Sequence, residues 1–333
     1  MLLKLFKMNL PFNFICLVVL GFSIHIVKSK DAALETVSVH GQLSVDGVNL
    51  VDENGDPVQL KGMSLFWDIW MPQYYNQESI DGIHDYCHSN VVRSAMAIES
   101  LLDGGYLIDP EDSLERLYAV IDAAIEDDIY VIVDWHEENA HKHLAQAKEF
   151  FDIISKKYGN YSNIIYETFN EPVNAAWSAV LKPYHEEVIK TIRANDPDNV
   201  IVVGTPNWSQ RVDDAAADPI TAYDNIMYTL HYYAATHKQW LRDTVQRALD
   251  QGLPIFVTEY GTVQADATGP IDLVESRLWW DFLDENNISY VNWAISDKLE
   301  EASVLVVNAT AEEVCRDEYL TESGRLVVEQ NQK

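Results

Sequence analysis

Along most of this chain a short apolar run ends on a polar or aromatic residue, and a longer stretch follows with apolar residues every three or four positions. Runs of the first kind occupy 58–63, 90–96, 130–135, 164–170, 200–204, 226–231, 255–260 and 290–295. Several are apolar at consecutive positions, as parallel strands covered on both faces are. The stretches between them read as amphipathic helices. In 114–125, Leu114, Leu117, Val120, Ile121, Ala124 and Ile125 share one face at a 3.6-residue period. Asp109-Pro110 ahead of them supplies an N-cap followed by proline at the first helical position. Phe150, Phe151, Ile153 and Ile154 mark a second such helix. Before the first run, 41–45 and 48–51 flank Asp46-Gly47, a hairpin turn signal, and Asn54-Gly55 closes the next turn.

Eight strand–helix units predict an α/β fold, a (β/α)8 TIM barrel with a short N-terminal β-hairpin, in a single catalytic domain covering 30–333. An open doubly wound sheet would give the same alternation, but no G-x-G-x-x-G follows a first strand and there is no P-loop. Polar and aromatic residues gather at the C-terminal ends of the runs. Arg93 lies within the second, Asp134-Trp135-His136 ends the third, and Asn170-Glu171 ends the fourth. His231 and Tyr233 follow at the sixth, Glu259 at the seventh and Trp293 at the eighth. Barrel active sites lie at that face. Ionisable groups there need a purpose, because burying them unpaired is costly.

Composition narrows the setting. Residues 1–29 read as a secretory signal: Lys4 and Lys7 at the start, an apolar run from 10 to 27, and a cleavage point near Ser29. An uncleaved anchor is the rival, but Pro11, Asn13 and His25 interrupt the run. The protein is therefore expected to be secreted and extracellular, with no membrane association after cleavage. Of 23 basic residues, Lys4, Lys7 and Lys28 leave with the signal, so 20 face 53 acids, a formal charge of −33. Such a surface repels phosphate backbones, which argues against a nucleic-acid partner, while a neutral polysaccharide is indifferent to it.

Cys16 leaves with the signal, and Cys87 and Cys315 remain. Cys87 falls near the bottom end of the first barrel helix, Cys315 after the eighth strand and so near the top. A barrel is more than about 20 Å tall by helix rise, whereas a disulfide needs Cα atoms within about 7 Å. The expectation is two unpaired thiols. Asn160, Asn207, Asn287 and Asn308 head N-x-S/T triplets.

Two glutamates at strand ends, Glu171 after Asn170 and Glu259, suit cleavage of a glycosidic bond. One carboxyl must be protonated to donate to the leaving oxygen and the other ionised to attack the anomeric carbon. Their environments must hold the two pKa values apart. The segment from His136 to His141 has an outline similar to H-E-x-x-H, but the histidines stand five apart. On a helix that turns one about 140° from the other, so no metal site is expected.

The chain resembles glycoside hydrolase family 5, in its branch of secreted endo-β-1,4-glucanases (cellulases). The resemblance rests on Gly62-Met63-Ser64, Asn90-Val91-Val92-Arg93, Val133-Asp134-Trp135-His136 and Tyr166-Glu167-Thr168-Phe169-Asn170-Glu171-Pro172. It continues in His231-Tyr232-Tyr233-Ala234, Thr258-Glu259-Tyr260-Gly261 and the stretch from Asn292 to Lys298, all in family order across 41–330. It implies Glu171 as acid/base, Glu259 as nucleophile, and Asn170 on the sugar 2-hydroxyl. Arg93 would pair with the nucleophile and Tyr233 hydrogen-bond it. His136 and His231 would line the site near the acid/base, and Trp293 would stack on glucose. Lys298 and Glu300 would bind hydroxyls on the non-reducing side, with Trp70 and Trp208 as outer platforms. Without the resemblance, Arg93 has a structural ion pair as its alternative reading, Trp293 and the histidines have core, and Lys298 and Glu300 have solvated loop charges.

Phe66 and Ala97 depart from the histidine and tyrosine found in some relatives, which leaves fine substrate preference open. Leu299 and Glu301 leave the conformation of their loop open. The expectation is a monomeric retaining endo-β-1,4-glucanase acting on β-glucan by double displacement, with no cofactor. The chain ends soon after the eighth helix without a cellulose-binding module, so amorphous or soluble glucan should be the better substrate. Another β-1,4-glycan hydrolase (mannanase, xylanase or xyloglucanase) and an inactive glucan-binding protein are the alternatives.

Overall fold

The computed structural model describes residues 36–99 and 104–333; the expected signal at 1–29 lies outside the described residues. A hairpin of β1 (Ser44–Asp46) and β2 (Asn49–Val51) comes first. Eight parallel strands follow: β3 (Lys61–Leu65), β4 (Val91–Ala97), β5 (Tyr130–His136), β6 (Ile164–Glu167), β7 (Ile201–Val203), β8 (Ile226–Tyr233), β9 (Ile255–Gly261) and β10 (Tyr290–Ile295). They lie side by side in sequence order, and β10 closes on β3, making the expected (β/α)8 barrel. Asp109 caps the helix Pro110–Glu126 by accepting from the Asp112 amide at 3.2 Å. The helix Leu144–Tyr158 buries Phe150, Phe151 and Ile154 against the strands. Among the described residues no helix is long and apolar enough to cross a membrane.

Alternate side chains of each strand point inward, and the inward set changes character from bottom to top. At the bottom Val91, Tyr130, Ile132, Ile165, Met227, Phe256 and Val291 form an apolar plug. Leu43 and Leu50 of the hairpin segment, with Val58 and Leu60, complete that plug. This explains why β3 begins at Lys61 rather than at 58: the Val58 amide bonds the Leu50 carbonyl at 2.9 Å, and residues 58–60 belong to the floor. One step higher, the inward positions become Arg93, Asp134, Glu167, Thr229 and Thr258, all buried.

Two irregularities shape the top. β6 ends at Glu167, and the chain then curls so that the Asn170 amide bonds the Trp135 carbonyl and the Glu171 amide the Glu137 carbonyl, each at 3.2 Å. In β9, Phe256 and Glu259 pair with Thr229 and His231 of β8, three steps against two, and the register against β10 shifts at the same place. Phe256 packs into the barrel floor and Tyr260 into the outer core. The extra residue lets Thr258 and Glu259 both reach the barrel interior, as a β-bulge does.

Cys87 and Cys315 are joined in a disulfide with Cα atoms 5.3 Å apart, which corrects the expectation of unpaired thiols. The helix Gln77–Asp85 has nine residues and so descends only about 13 Å. The chain after β10 does not stay at the top. Leu305 pairs with Leu320, and the excursion between them runs beside that helix, with the Val314 carbonyl packed against Gly82. Position after a strand gave the height of Cys315 wrongly because the loop doubles back.

Candidate active site

Arg93 of β4 is fully buried and organises the centre of the upper layer. Its Nε donates to Glu167 Oε2 at 2.7 Å and its Nη1 to Glu259 Oε2 at 3.1 Å. Its Nη2 lies 2.6 Å from Asn170 Oδ1 and 2.9 Å from Asp134 Oδ2. Burial works against its charge, but Asp134, Glu167 and Glu259 outweigh that and hold the guanidinium firmly protonated. Burial would also raise Glu167; the Arg93 charge and the contacts of His231 outweigh it and bring the carboxyl down to about 2. Tyr233 of β8 donates its phenol to the second oxygen of Glu259 at 2.7 Å. Burial and the Glu259 charge keep that phenol protonated.

Glu171 faces a different partner. His231 Nδ1 lies 2.9 Å from Glu171 Oε1, and its Nε2 lies 3.0 Å from Thr258 Oγ1. Burial opposes a charged imidazole, but Glu259, Glu167 and Glu171 together lift His231 to about 9. Burial pushes Glu171 up, and the hydrogen bond and charge of His231 pull it below its ordinary value. One oxygen of Glu171, one of Glu259 and one nitrogen of His231 all lie within 4.8 Å of one another.

The walls are aromatic. His136 Nδ1 lies 2.6 Å from Asp134 Oδ2, and its ring stacks on Trp293 at 5.4 Å and 9°. Burial and the nearby Arg93 charge depress His136 to about 3, so the ring is neutral. Trp293 also meets Phe66, which in turn meets Trp70. Trp70 and Trp208 are 37% and 42% exposed, whereas Trp293 is 6% exposed, so the first two stand at the rim and the third inside. Trp208 borders a 490 Å³ cavity that also reaches Glu171, Glu259, Tyr233 and His237. On the opposite rim Lys298 Nζ bonds Glu300 at 2.6 Å and lies over the Phe66 ring at 5.3 Å, while Leu299 projects into solvent.

All twelve residues singled out from the sequence therefore lie at the top face. Sequence reasoning missed Glu167 and Thr258, which join the network from inside the barrel, and Trp67, whose ring meets His136 edge-on at 4.3 Å. The only signal for Glu167 was an acid inside an otherwise apolar strand. The histidines of the H-E-x-x-H-like segment part company: His136 points into the cleft, while His141 stacks near Phe169. Asn160, Asn207 and Asn308 are exposed, Asn287 half-buried.

The chain matches the family model described as cellulase (glycosyl hydrolase family 5) over residues 51–299. It is 41% identical over 329 residues to an endoglucanase of Clostridium saccharobutylicum, covering 98% of this chain and 72% of that protein. It is 41% identical over 311 residues to endoglucanase Z of Dickeya dadantii, covering 92% and 69%. Among solved structures, one from Cytophaga hutchinsonii is similar with a TM-score of 0.86 at 48% identity, covering 89% of this chain and 96% of that one. The catalytic domain of Thermobifida fusca endoglucanase Cel5A is similar with a TM-score of 0.84 at 33% identity, covering 89% and 99%.

Proposed function

The chain belongs to glycosyl hydrolase family 5, and from that premise we propose that it is a retaining endo-β-1,4-glucanase with Glu259 as nucleophile and Glu171 as acid/base. The observation that carries this reading is the approach of the two carboxylates within 4.8 Å. Retaining enzymes hold their carboxyls about 5–5.5 Å apart, and inverting ones about 6.5–9.5 Å to admit a water.

Glu259 attacks the anomeric carbon while Glu171 protonates the departing oxygen, forming a glycosyl-enzyme; water deprotonated by Glu171 then releases the sugar with retained configuration. Arg93 and Tyr233 occupy both oxygens of Glu259, so they hold it in one orientation for attack. The Asn170 amide oxygen is committed to Arg93, which leaves its NH2 group for the sugar 2-hydroxyl. Trp293 offers a face to the glucose at the cleavage point, with neutral His136 behind it. Trp70, Lys298 and Glu300 serve the non-reducing side and Trp208 the leaving-group side. The protein works as a secreted monomer on β-glucan and needs no cofactor.

The test is hydrolysis of carboxymethylcellulose by wild type and Glu259→Gln, with NMR of the first-formed anomer. The reading requires loss of hydrolysis in the variant and β-product from the wild type. Equal hydrolysis by both, or initial α-product, would overturn it. Parallel assays on xyloglucan, xylan and glucomannan should be slower than on β-1,4-glucan.

A further inference from the structure

Glu167 has a hydrogen-bonded path to each of the two central carboxylates. One path runs through Arg93, from Glu167 Oε2 to Glu259 Oε2. The other starts where Thr258 Oγ1 donates to Glu167 Oε1 at 2.5 Å. His231 Nε2 lies 3.0 Å from the same Thr258 oxygen, and His231 Nδ1 lies 2.9 Å from Glu171. Thr258 has one hydroxyl proton, and an ionised carboxylate only accepts. The proton is thus committed to Glu167, and the Thr258 oxygen must accept from its other neighbours, His231 and Thr229. His231 Nε2 therefore carries hydrogen, and Nδ1 is the one imidazole nitrogen free to gain or lose a proton. All of these groups except Glu171 are buried, so water does not compete for the hydrogen bonds.

We infer that Glu167 is a positioning residue for the acid/base: acting through Thr258, it fixes the His231 tautomer so that a single proton is shared between His231 Nδ1 and Glu171. The inference rests on the assignment of Glu171 as acid/base made above. In the free site the shared proton resides on His231, raised to about 9 by Glu259, Glu167 and Glu171 against the opposing effect of burial. The pair surrenders that proton through Glu171 to the leaving oxygen as the glycosidic C–O bond breaks, leaving a carboxylate beside a neutral imidazole. The water that cleaves the glycosyl-enzyme gives one proton back. The charged and titratable groups around the pair are Arg93 on β4, Asp134 and His136 on β5, Glu138 beyond it, Glu167 on β6, Tyr233 on β8 and Glu259 on β9.

The experiment compares kcat/KM on a cellooligosaccharide, whose leaving group needs protonation, with that on 2,4-dinitrophenyl cellobioside, whose leaving group does not. Thr258→Val should lose about 10-fold or more on the first, leave the second unchanged, and move the alkaline limb of the first to lower pH. Thr258→Ser should restore both features. Glu167→Gln also removes the charge that bonds Arg93 and through it Glu259, so it should lose activity on both substrates and more on the first. Equal loss on both substrates, or no loss on either, overturns the inference. Imidazole 15N shifts of the unmodified protein provide a check that needs no variant: an unprotonated Nε2 on His231 also overturns it. Glu171→Ala is the control. If it lacks the split, the acid/base assignment itself falls and the inference with it; if it shows the split and Thr258→Val does not, the relay alone falls.

Discussion

A Cβ on Gly261 would lie 2.4 Å from Cδ1 of the Tyr233 ring. The phenol that holds Glu259 stands in the space a side chain at 261 would fill. Gly261→Ala should therefore displace Tyr233 and break its 2.7 Å bond to the nucleophile. A hydrogen bond to a charged group contributes about 1.5–3 kcal/mol, so kcat/KM on carboxymethylcellulose should fall roughly 10- to 100-fold, as in Tyr233→Phe. An alanine variant that is folded and as active as wild type would contradict this.

Arg93 serves Glu167, Asn170, Asp134 and Glu259 through three nitrogens. Lysine keeps the charge but has one nitrogen and no fork. Arg93→Lys should lose on the order of 100-fold in kcat, because the carboxylates it aligns become free to shift. Losing hydrogen bonds in so buried a cluster should also lower the unfolding free energy, by about 1.5–3 kcal/mol for each bond to a carboxylate that lysine does not replace. Urea denaturation measures the second effect; an unchanged midpoint would refute it.

Two buried glutamates give stability opposite dependences on pH. Glu167 titrates at about 2 when folded against 4.5 ordinarily. Its contribution is present above about pH 4.5 and lost as pH falls towards 2. Glu137 goes the other way: burial raises it to about 7 despite the pull of His143, 2.6 Å away. Its contribution is present below about pH 4.5 and lost as pH rises to about 7. Glu137→Gln should therefore narrow the difference in Tm between pH 4.5 and pH 8, which calorimetry reads directly. A difference as wide as in wild type would count against the assignment.

The Cys87–Cys315 disulfide spans 228 residues. Closing so long a loop restricts the unfolded chain by about 5 kcal/mol in the chain-entropy model. Replacing both cysteines by serine should lower Tm by several degrees while leaving kcat at 25 °C unchanged, since neither residue reaches the cleft. A thermal melt with and without reductant checks the same point; identical melts would show the bond to be dispensable.

Much of this was legible in the chain. The strand β5 and the helix Pro110–Glu126 were readable because apolar spacing and an Asp-Pro cap are local signals. Arg93, Glu171, Glu259 and Trp293 could be assigned to one face because parallel strands of a barrel all end there. Glu167 and Thr258 were not found: each lies inside a run that reads as core, and its role depends on a partner 74 or more residues away in sequence. The disulfide was misjudged for a related reason, since nothing local announces that 306–319 doubles back along a helix.

The sequence by itself determined the barrel and the rim on which Glu171 and Glu259 meet, because strand periodicity and strand direction are properties of short segments. Only the tertiary structure decided how far apart the two carboxylates stand and what each is bonded to. A strict two-residue alternation would send Thr258 and Glu259 to opposite faces of β9. The bulge there, defined against both β8 and β10, brings both inward, so that one binds Glu167 and the other Arg93. Register between strands is a relation among distant segments, and it exists only once the barrel has closed.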